Sequence, residues 1–172
     1  MGFEKLIDLF VQFLEFFRFC TTIDCYERGI RLRLGENPKT LEPGFHLQWP
    51  FYIDRVITEN VVPKLYQLAT QSIMTKDGVT ISAGAVICYQ IRSIEKAILE
   101  VESVQHAVAD SCQATLAEEI LSSTWDEVRW PGYSSRLLAS CRKLAWKYGV
   151  EIMSVRFCEL APVRNYRTIT GQ

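Results

Sequence analysis

Residues 75–91 read TKDGVTISAGAVICYQI and decide the fold class of this 172-residue chain. From Val79 to Ile91 apolar side chains alternate with small or polar ones, which is the period-two pattern of a strand with one buried face. The Asp-Gly pair at 77–78 suits a hairpin turn, because these residue types tolerate positive φ. Residues 64–74 have the pattern of the strand before that turn. We therefore predict an antiparallel β-hairpin over this part of the chain.

Further strands are predicted before this hairpin, with turns between them. The predicted strands are residues 26–35, residues 45–56 with a break near Pro50, and residues 57–62. In the first of them Ile30, Leu32 and Leu34 alternate with arginines, which indicates a strand with one apolar face. Pro38 and the Pro-Gly pair at 43–44 predict turns.

Helical periodicity begins after residue 92, so the order of elements indicates an α+β fold. The predicted helices are residues 93–100, 103–121 and 134–148, with a turn at 125–128. Gly149 ends the last helix, and a final strand follows over 150–160. The apolar phase of that strand slips near Met153, which predicts a β-bulge. Glu119 lies on the apolar side of the second helix, so we expect it to have a partner.

The first nineteen residues differ from the rest of the chain, because they hold six of the nine phenylalanines. At 100° per residue, nearly all of their polar side chains fall within one arc about 140° wide. The remaining face is apolar, and we predict that residues 1–22 form an amphipathic helix lying on a membrane surface. The predicted membrane-binding residues are Phe3, Leu6, Ile7, Phe10, Phe13, Leu14, Phe16 and Phe17. Packing against protein and a transmembrane span are the alternatives, but a span would place Asp8 and Glu15 in hydrocarbon.

The six cysteines show no CxxC motif and no regular spacing, and no cleavable signal peptide is recognisable. We therefore expect free thiols in a reducing compartment, with the folded domain on the cytoplasmic side of the membrane. Cys20 and Cys25 lie at or just beyond the end of the amphipathic helix and are candidate lipidation sites. An ordinary structural role, as half-buried cysteines, is the alternative for both.

Charge is strongly segregated along the chain. Residues 93–128 carry a net charge of −7 and residues 129–172 a net charge of +6, although the whole chain carries only −1. Near-neutrality argues against a nucleic-acid-binding protein. We expect the two segments either to meet between neighbouring copies or to neutralise each other within one subunit. The residues predicted for a contact between copies are Glu95, Glu102, Glu118, Glu119, Arg136, Lys143 and Lys147.

Residues that could perform catalysis do not form a recognisable motif. His106 and Asp110 share one side of a predicted helix, but Cys112 projects from another side. His46 suits a half-buried structural role better than a catalytic one. No short-spaced Cys/His cluster, Walker A loop or dinucleotide-binding glycine motif is present in the sequence. We therefore expect a protein that is not an enzyme and has no catalytic residues, metal or cofactor.

Four blocks of the sequence together resemble the SPFH (band 7) domain of stomatins, prohibitins and flotillins. They are YERGIRLRLG (26–35), EPGFHLQWPFYIDRV (42–56), TKDGVTISAGAVICYQI (75–91) and YGVEIMSVRFCELAPV (148–163). The resemblance implies an α+β domain in two parts. These are a β-rich subdomain over 23–92 and a helical subdomain over 93–163 that the final strand closes, followed by a short tail over 164–172.

The same resemblance implies a stomatin-like scaffold that is attached to a lipid surface and assembles into homo-oligomers. Members of the family organise membranes and modulate membrane proteases or channels, so such a protein is an expected partner, and nucleic acid is not. The nine residues after Val163 are too few for the long helix that usually follows the domain. We therefore expect assembly through the domain itself, without a coiled coil. The alternative is a regulatory module that joins or caps a partner's membrane assembly.

Overall fold

The computed structural model describes Ile7, residues 20–49 and residues 53–163. The chain divides into two compact units, Met1–Val62 and Pro63–Gln172. The strands that follow Val62 pair within the second unit. The subdomain boundary after residue 92, which the resemblance implies, stays a prediction. The α+β class with antiparallel sheets, closed by a final strand, is confirmed.

The first unit consists of five short strands in two antiparallel sheets. They are β1 (Cys20–Ile23), β2 (Glu27–Arg33), β3 (Glu36–Leu41), β4 (Gly44–Leu47) and β5 (Asp54–Asn60). β1 and β4 form a two-stranded ribbon, while β2 lies between β3 and β5 in a three-stranded sheet. This unit therefore presents two small sheets, each with only a few buried side chains.

Several details of the first unit differ from the sequence prediction. Pro38 was expected in a turn but lies in β3, where a proline is tolerated because β3 is an edge strand. Leu34 was expected on the apolar face, yet it is exposed in the tight turn after β2 with a φ of 53°. β1 was not predicted: its residues 20–22 were expected at the end of the amphipathic helix, but they pair with β4, so a helix can extend no further than residue 19. β5 is one continuous strand rather than the end of one strand and the beginning of another.

The second unit is built around one long strand. Its elements are β6 (Lys64–Gln67), β7 (Gln71–Met74), β8 (Thr80–Ile91), α1 (Ile94–Leu99), α2 (Val104–Ser122), α3 (Trp125–Arg129), α4 (Tyr133–Ala145), a 3₁₀ turn (Trp146–Tyr148) and β9 (Val150–Pro162). β6 and β7 pair one after the other along one edge of β8, and β9 pairs along the other edge. α2 packs on α4 and β7, and α4 packs on β9, so these helices cover the sheet.

The alternation predicted for β8 is confirmed. Ile81, Ala83, Ala85 and Ile87 are all fully buried. The predicted hairpin turn is also present, because Gly78 adopts a φ of +81° and the amide of Thr75 donates to the carbonyl of Val79 at 2.9 Å. The preceding strand is interrupted, however: the amide of buried Leu68 still donates to the carbonyl of Ala85, but β7 begins only at Gln71, with its register on β8 shifted by one residue.

Both ends of the predicted final strand match the structure closely. Gly149 ends the 3₁₀ turn with a φ of +71°. The predicted bulge is confirmed, since the β8–β9 register passes from Cys88–Ser154 to Tyr89–Ile152 and leaves Met153 without a partner. A second, unpredicted register shift occurs at Cys158.

The helices differ from the prediction in two places. The segment predicted as a turn is the short helix α3, which begins with a capping box between Thr124 and Glu127. In α4 the side chains of Leu137, Cys141 and Ala145 are buried as expected, but Leu144 is exposed.

Candidate membrane and assembly surfaces

The β1–β4 ribbon carries a row of exposed apolar side chains. The register pairs Cys20 with Leu47 and Thr22 with Phe45, so these four residues share one face of the ribbon. Trp49 follows Leu47 by two residues. The exposed fractions are 65% for Phe45, 71% for Leu47 and 62% for Trp49. We call Phe45, Leu47 and Trp49 the ribbon face.

The opposite side of the ribbon packs inward. Ile23 is buried, and its Cδ1 lies so close to Gly29 that a Cβ on that glycine would come within 2.9 Å. His46 is half-buried, and its Nε2 lies 2.7 Å from the carbonyl oxygen of Glu42, which agrees with the predicted structural role. Because side chains alternate along a strand, this inward packing directs the ribbon face away from the β2 sheet.

A buried carboxylate fixes the end of the ribbon face. The side chain of Asp54 has no exposed surface, and it accepts hydrogen bonds from Arg33 Nε at 2.9 Å and from the amide of Trp49 at 3.0 Å. The hydrogen bond and charge of Arg33 lower the pKa of Asp54 below its ordinary value of 3.8, against the opposing effect of burial. Asp54 therefore stays ionised at neutral pH and connects β2, β5 and the backbone of Trp49.

The strand that pairs with β4 adjoins the predicted membrane helix in the chain, because β1 begins at Cys20. Of the predicted membrane-binding residues, Ile7 is described and is exposed. The others lie outside the described residues: Phe3, Leu6, Phe10, Phe13, Leu14, Phe16 and Phe17. The candidate lipidation sites Cys20 and Cys25 both have exposed thiols, and Cys20 lies on the same side of the ribbon as Leu47.

The sequence alone did not indicate whether the ribbon face is exposed or buried. Large apolar residues at Phe45, Leu47 and Trp49 have the period-two spacing of a strand that packs on a core. Periodicity indicates which side chains share a face, but it does not indicate whether anything covers that face. Contiguous apolar surface rimmed by polar residues marks sites of interaction with protein or membrane.

The charged helices contain one close internal ion pair. Glu119 on α2 accepts a hydrogen bond from Ser140 Oγ at 2.7 Å, and its other carboxylate oxygen lies 3.0 Å from Arg136 Nε. The prediction that Glu119 has a partner is therefore confirmed. Two of the seven residues predicted for a contact between copies thus pair with each other inside one chain.

The other five predicted contact residues are on the surface of the second unit. They are Glu95, Glu102, Glu118, Lys143 and Lys147. Within the described part of the chain none of them forms an ion pair, although the ammonium of Lys147 lies 6.0 Å from the ring of Tyr148.

The residues considered for catalysis are not brought together. His106 and Asp110 are exposed, whereas Cys112 is buried. A hydrogen bond with Cys141 and burial raise the pKa of the Cys112 thiol, which disfavours a nucleophilic thiolate. Among residues 20–49 and 53–163, no three His, Cys, Asp or Glu side chains are grouped so that they could hold a metal ion.

None of the helices in the described residues has both the length and the apolarity that crossing a membrane requires.

Comparisons with known proteins identify the family. An uncharacterised protein of Methanocaldococcus jannaschii is 30% identical over 87% of this chain and 76% of its own length. An uncharacterised protein of Archaeoglobus fulgidus is 33% identical over 60% of this chain, and a Band 7 protein of Drosophila melanogaster is 31% identical over 53%. The matches span only 41% and 18% of those two relatives. A family model, SPFH domain / Band 7 family, matches residues 21–169. The chain therefore belongs to the SPFH domain / Band 7 family.

Proposed function

We propose that this protein is a membrane-attached scaffold that binds one leaflet through residues 1–19 and through the ribbon face. Membership of the SPFH domain / Band 7 family supports a membrane-associated scaffold role in general terms. The observation that carries the more specific proposal is the exposed row formed by Phe45 and Leu47 on β4 and by Trp49 just after it. β4 pairs with β1, which directly follows residues 1–19 in the chain.

Lipid is the occupant that best suits the ribbon face. Transfer of one large apolar side chain from water contributes about 1.5–3 kcal/mol when its burial is complete. Trp49 adds an indole, whose apolar body and N–H group favour the boundary between acyl chains and headgroups. Residues 1–19 have the pattern of a second membrane-binding surface. Because this segment and the ribbon face belong to one chain, binding of either to the membrane would raise the effective concentration of the other at the membrane.

The proposal includes self-assembly on the membrane and no catalytic step. Segregated charge on the second unit supports contacts between copies, since complementary charges orient partners even when they add little affinity. The six free thiols support a domain on the cytoplasmic side. Membrane proteases and channels are the proposed clients of such a scaffold.

Vesicle flotation tests the membrane contact. We expect the variant F45S/L47S/W49S to bind neutral phosphatidylcholine vesicles at least about tenfold more weakly than the unmodified chain. Each replaced apolar side chain no longer gains free energy by entering the membrane, so the affinity of the protein for the vesicle falls. Deletion of residues 1–19 should weaken binding further. The matched control is L65S/M74S/L121S, which removes three exposed apolar side chains from the second unit and should float normally.

Two outcomes contradict the proposal. Unchanged flotation of both F45S/L47S/W49S and the chain without residues 1–19 would exclude the membrane contact. Purification of the detergent-solubilised protein with a foreign protein in fixed stoichiometry, and with no self-association, would instead favour a regulatory module that joins a partner's assembly.

A further inference from the structure

We infer that copies of this chain associate head to tail through the two ends of α4. The inference rests on the proposed scaffold function and names the surfaces that meet. The acidic end consists of Asp126, Glu127 and Trp130, which precede α4. The basic end consists of Lys143, Leu144, Trp146 and Lys147, at the C-terminal end of α4 and in the 3₁₀ turn.

α4 holds these two ends apart. The thirteen residues of α4 correspond to about 20 Å of helix at 1.5 Å per residue. The side chains of Leu137 and Cys141 anchor α4 in the core, so the helix is a fixed spacer within the second unit. The two ends therefore do not neutralise each other in one subunit, in contrast to Glu119 and Arg136, which pair directly.

The acidic end presents an exposed tryptophan. Trp130 is 67% exposed, and its ring lies against Gly132, where a Cβ would come within 2.0 Å of the ring. Asp126 and Glu127 are exposed beside it, while the guanidinium of Arg129 is directed onto the Trp125 ring at 5.7 Å.

The basic end presents the complementary combination. Trp146 is 62% exposed and Leu144 is also exposed, with the exposed lysines at 143 and 147 on either side. Arg142 is already engaged, because its Nε donates to the carbonyl of Ile152 at 2.7 Å. Within the described residues, Lys143 and Lys147 form no ion pair with an acidic side chain.

A second copy of this chain fits both ends at once. Tryptophan is enriched at the centres of protein interfaces, and charged residues around it set orientation and partner choice. Each end has an exposed tryptophan; at one end two acidic side chains outnumber Arg129, and the other end carries two lysines. A contact between unlike ends is heterologous, so it repeats from copy to copy and forms a closed ring or an open filament.

A mixing experiment with the full chain in non-ionic detergent tests this arrangement. One variant, K143E/W146S/K147E, removes the basic end, and the other, D126K/W130S, removes the acidic end. We expect each variant alone to sediment as a monomer at low salt, where the unmodified chain assembles. Mixed in equal amounts, they should form a 1:1 heterodimer that grows no further, because each supplies one intact end.

Controls separate folding and membrane binding from assembly. L65S, which replaces an exposed side chain of β6, should assemble like the unmodified chain. If either tryptophan variant fails to fold by circular dichroism, the charge-only variants K143E/K147E and D126K replace them, and their mixture should associate more strongly than either alone. All variants should float with vesicles normally, which tests the membrane proposal independently.

Three results would overturn the inference. These are assembly of both variants at the size of the unmodified chain, a mixture of folded variants that remains monomeric, and dimers formed by one variant alone. Normal flotation together with any of these would leave the membrane contact intact and exclude only the head-to-tail contact.

Discussion

The two units of this protein use their apolar side chains in opposite ways. Among the described residues of the first unit, the buried apolar side chains are Ile23, Ile30 and Leu41, while the ribbon face points outward. In the second unit a continuous set of buried side chains joins β8 and β9 to α2 and α4. The second unit therefore has an extensive apolar core, whereas the first combines a small core with a buried ion pair and leaves large apolar side chains exposed.

The sharpest test of this difference is a pair of aliphatic truncations. Ile87→Ala removes a fully buried side chain of β8 and should lower the free energy of unfolding by about 2–5 kcal/mol, because it leaves a cavity. Leu47→Ala removes an exposed side chain of the ribbon face and should change it by less than about 0.5 kcal/mol. Urea unfolding followed by circular dichroism measures both. Equal losses of unfolding free energy in the two variants would contradict this difference between the two units.

Two glycines provide the next comparison. Gly149 and Gly35 both adopt positive φ, so alanine costs about 1–2 kcal/mol of backbone strain at either position. At Gly149 the new Cβ would also lie 2.6 Å from the carbonyl oxygen of Ser93, whereas nothing lies within 4 Å at Gly35. We expect Gly149→Ala to lower the melting temperature clearly more than Gly35→Ala. A larger effect at Gly35 would contradict the tight packing assigned to the second unit.

The buried ion pair between Arg33 and Asp54 in the first unit is expected to give a smaller, pH-dependent change in stability. Asp54→Asn removes the charge that Arg33 binds and should lower the free energy of unfolding by about 1–3 kcal/mol at pH 7. Because the folded pKa of Asp54 is lowered, its contribution is complete above 3.8, its ordinary pKa, and is lost as the pH falls through the folded pKa. Unfolding measured from pH 7 to pH 2 should therefore depend less on pH in the variant.

A more exposed ion pair is the control for Asp54. Arg28 and Glu42 approach to 3.3 Å, but both side chains are largely exposed, so Glu42→Gln should cost about 1 kcal/mol or less. If Glu42→Gln destabilises the protein as much as Asp54→Asn, the buried carboxylate has no special role in the first unit.

Local signals in the sequence predicted the second unit well. The alternation of β8, the turn at Gly78 and the helix stop at Gly149 each depend on residues adjacent in the chain, and the bulge at Met153 follows from a slip in the apolar pattern. β3, by contrast, reads ENPKTL and has almost no apolar alternation. It is a strand because its backbone pairs with β2, which is a non-local interaction that propensity does not encode.

The candidate surfaces were only partly predictable for the same reason. Sequence position indicated Glu119 as a residue that needs a partner, but its pairing with Arg136 depends on how α2 and α4 pack. The apolar residues Phe45, Leu47 and Trp49 were expected in a strand, but their exposure depends on the inward packing of Ile23 on the other side of the ribbon. The local sequence determines which side chains share one face of a strand or helix, whereas the tertiary fold determines whether that face is exposed.

Quenching of tryptophan fluorescence by brominated lipids tests the central claim most directly. Trp49 and Trp146 have the same exposed fraction, 62%, so they are matched probes of the two units. One variant keeps only Trp49 (W125F/W130F/W146F) and the other keeps only Trp146 (W49F/W125F/W130F). On vesicles with brominated acyl chains, we expect strong quenching of Trp49 and little of Trp146. Equal quenching of both, or none of Trp49, would contradict a membrane contact made by the ribbon face.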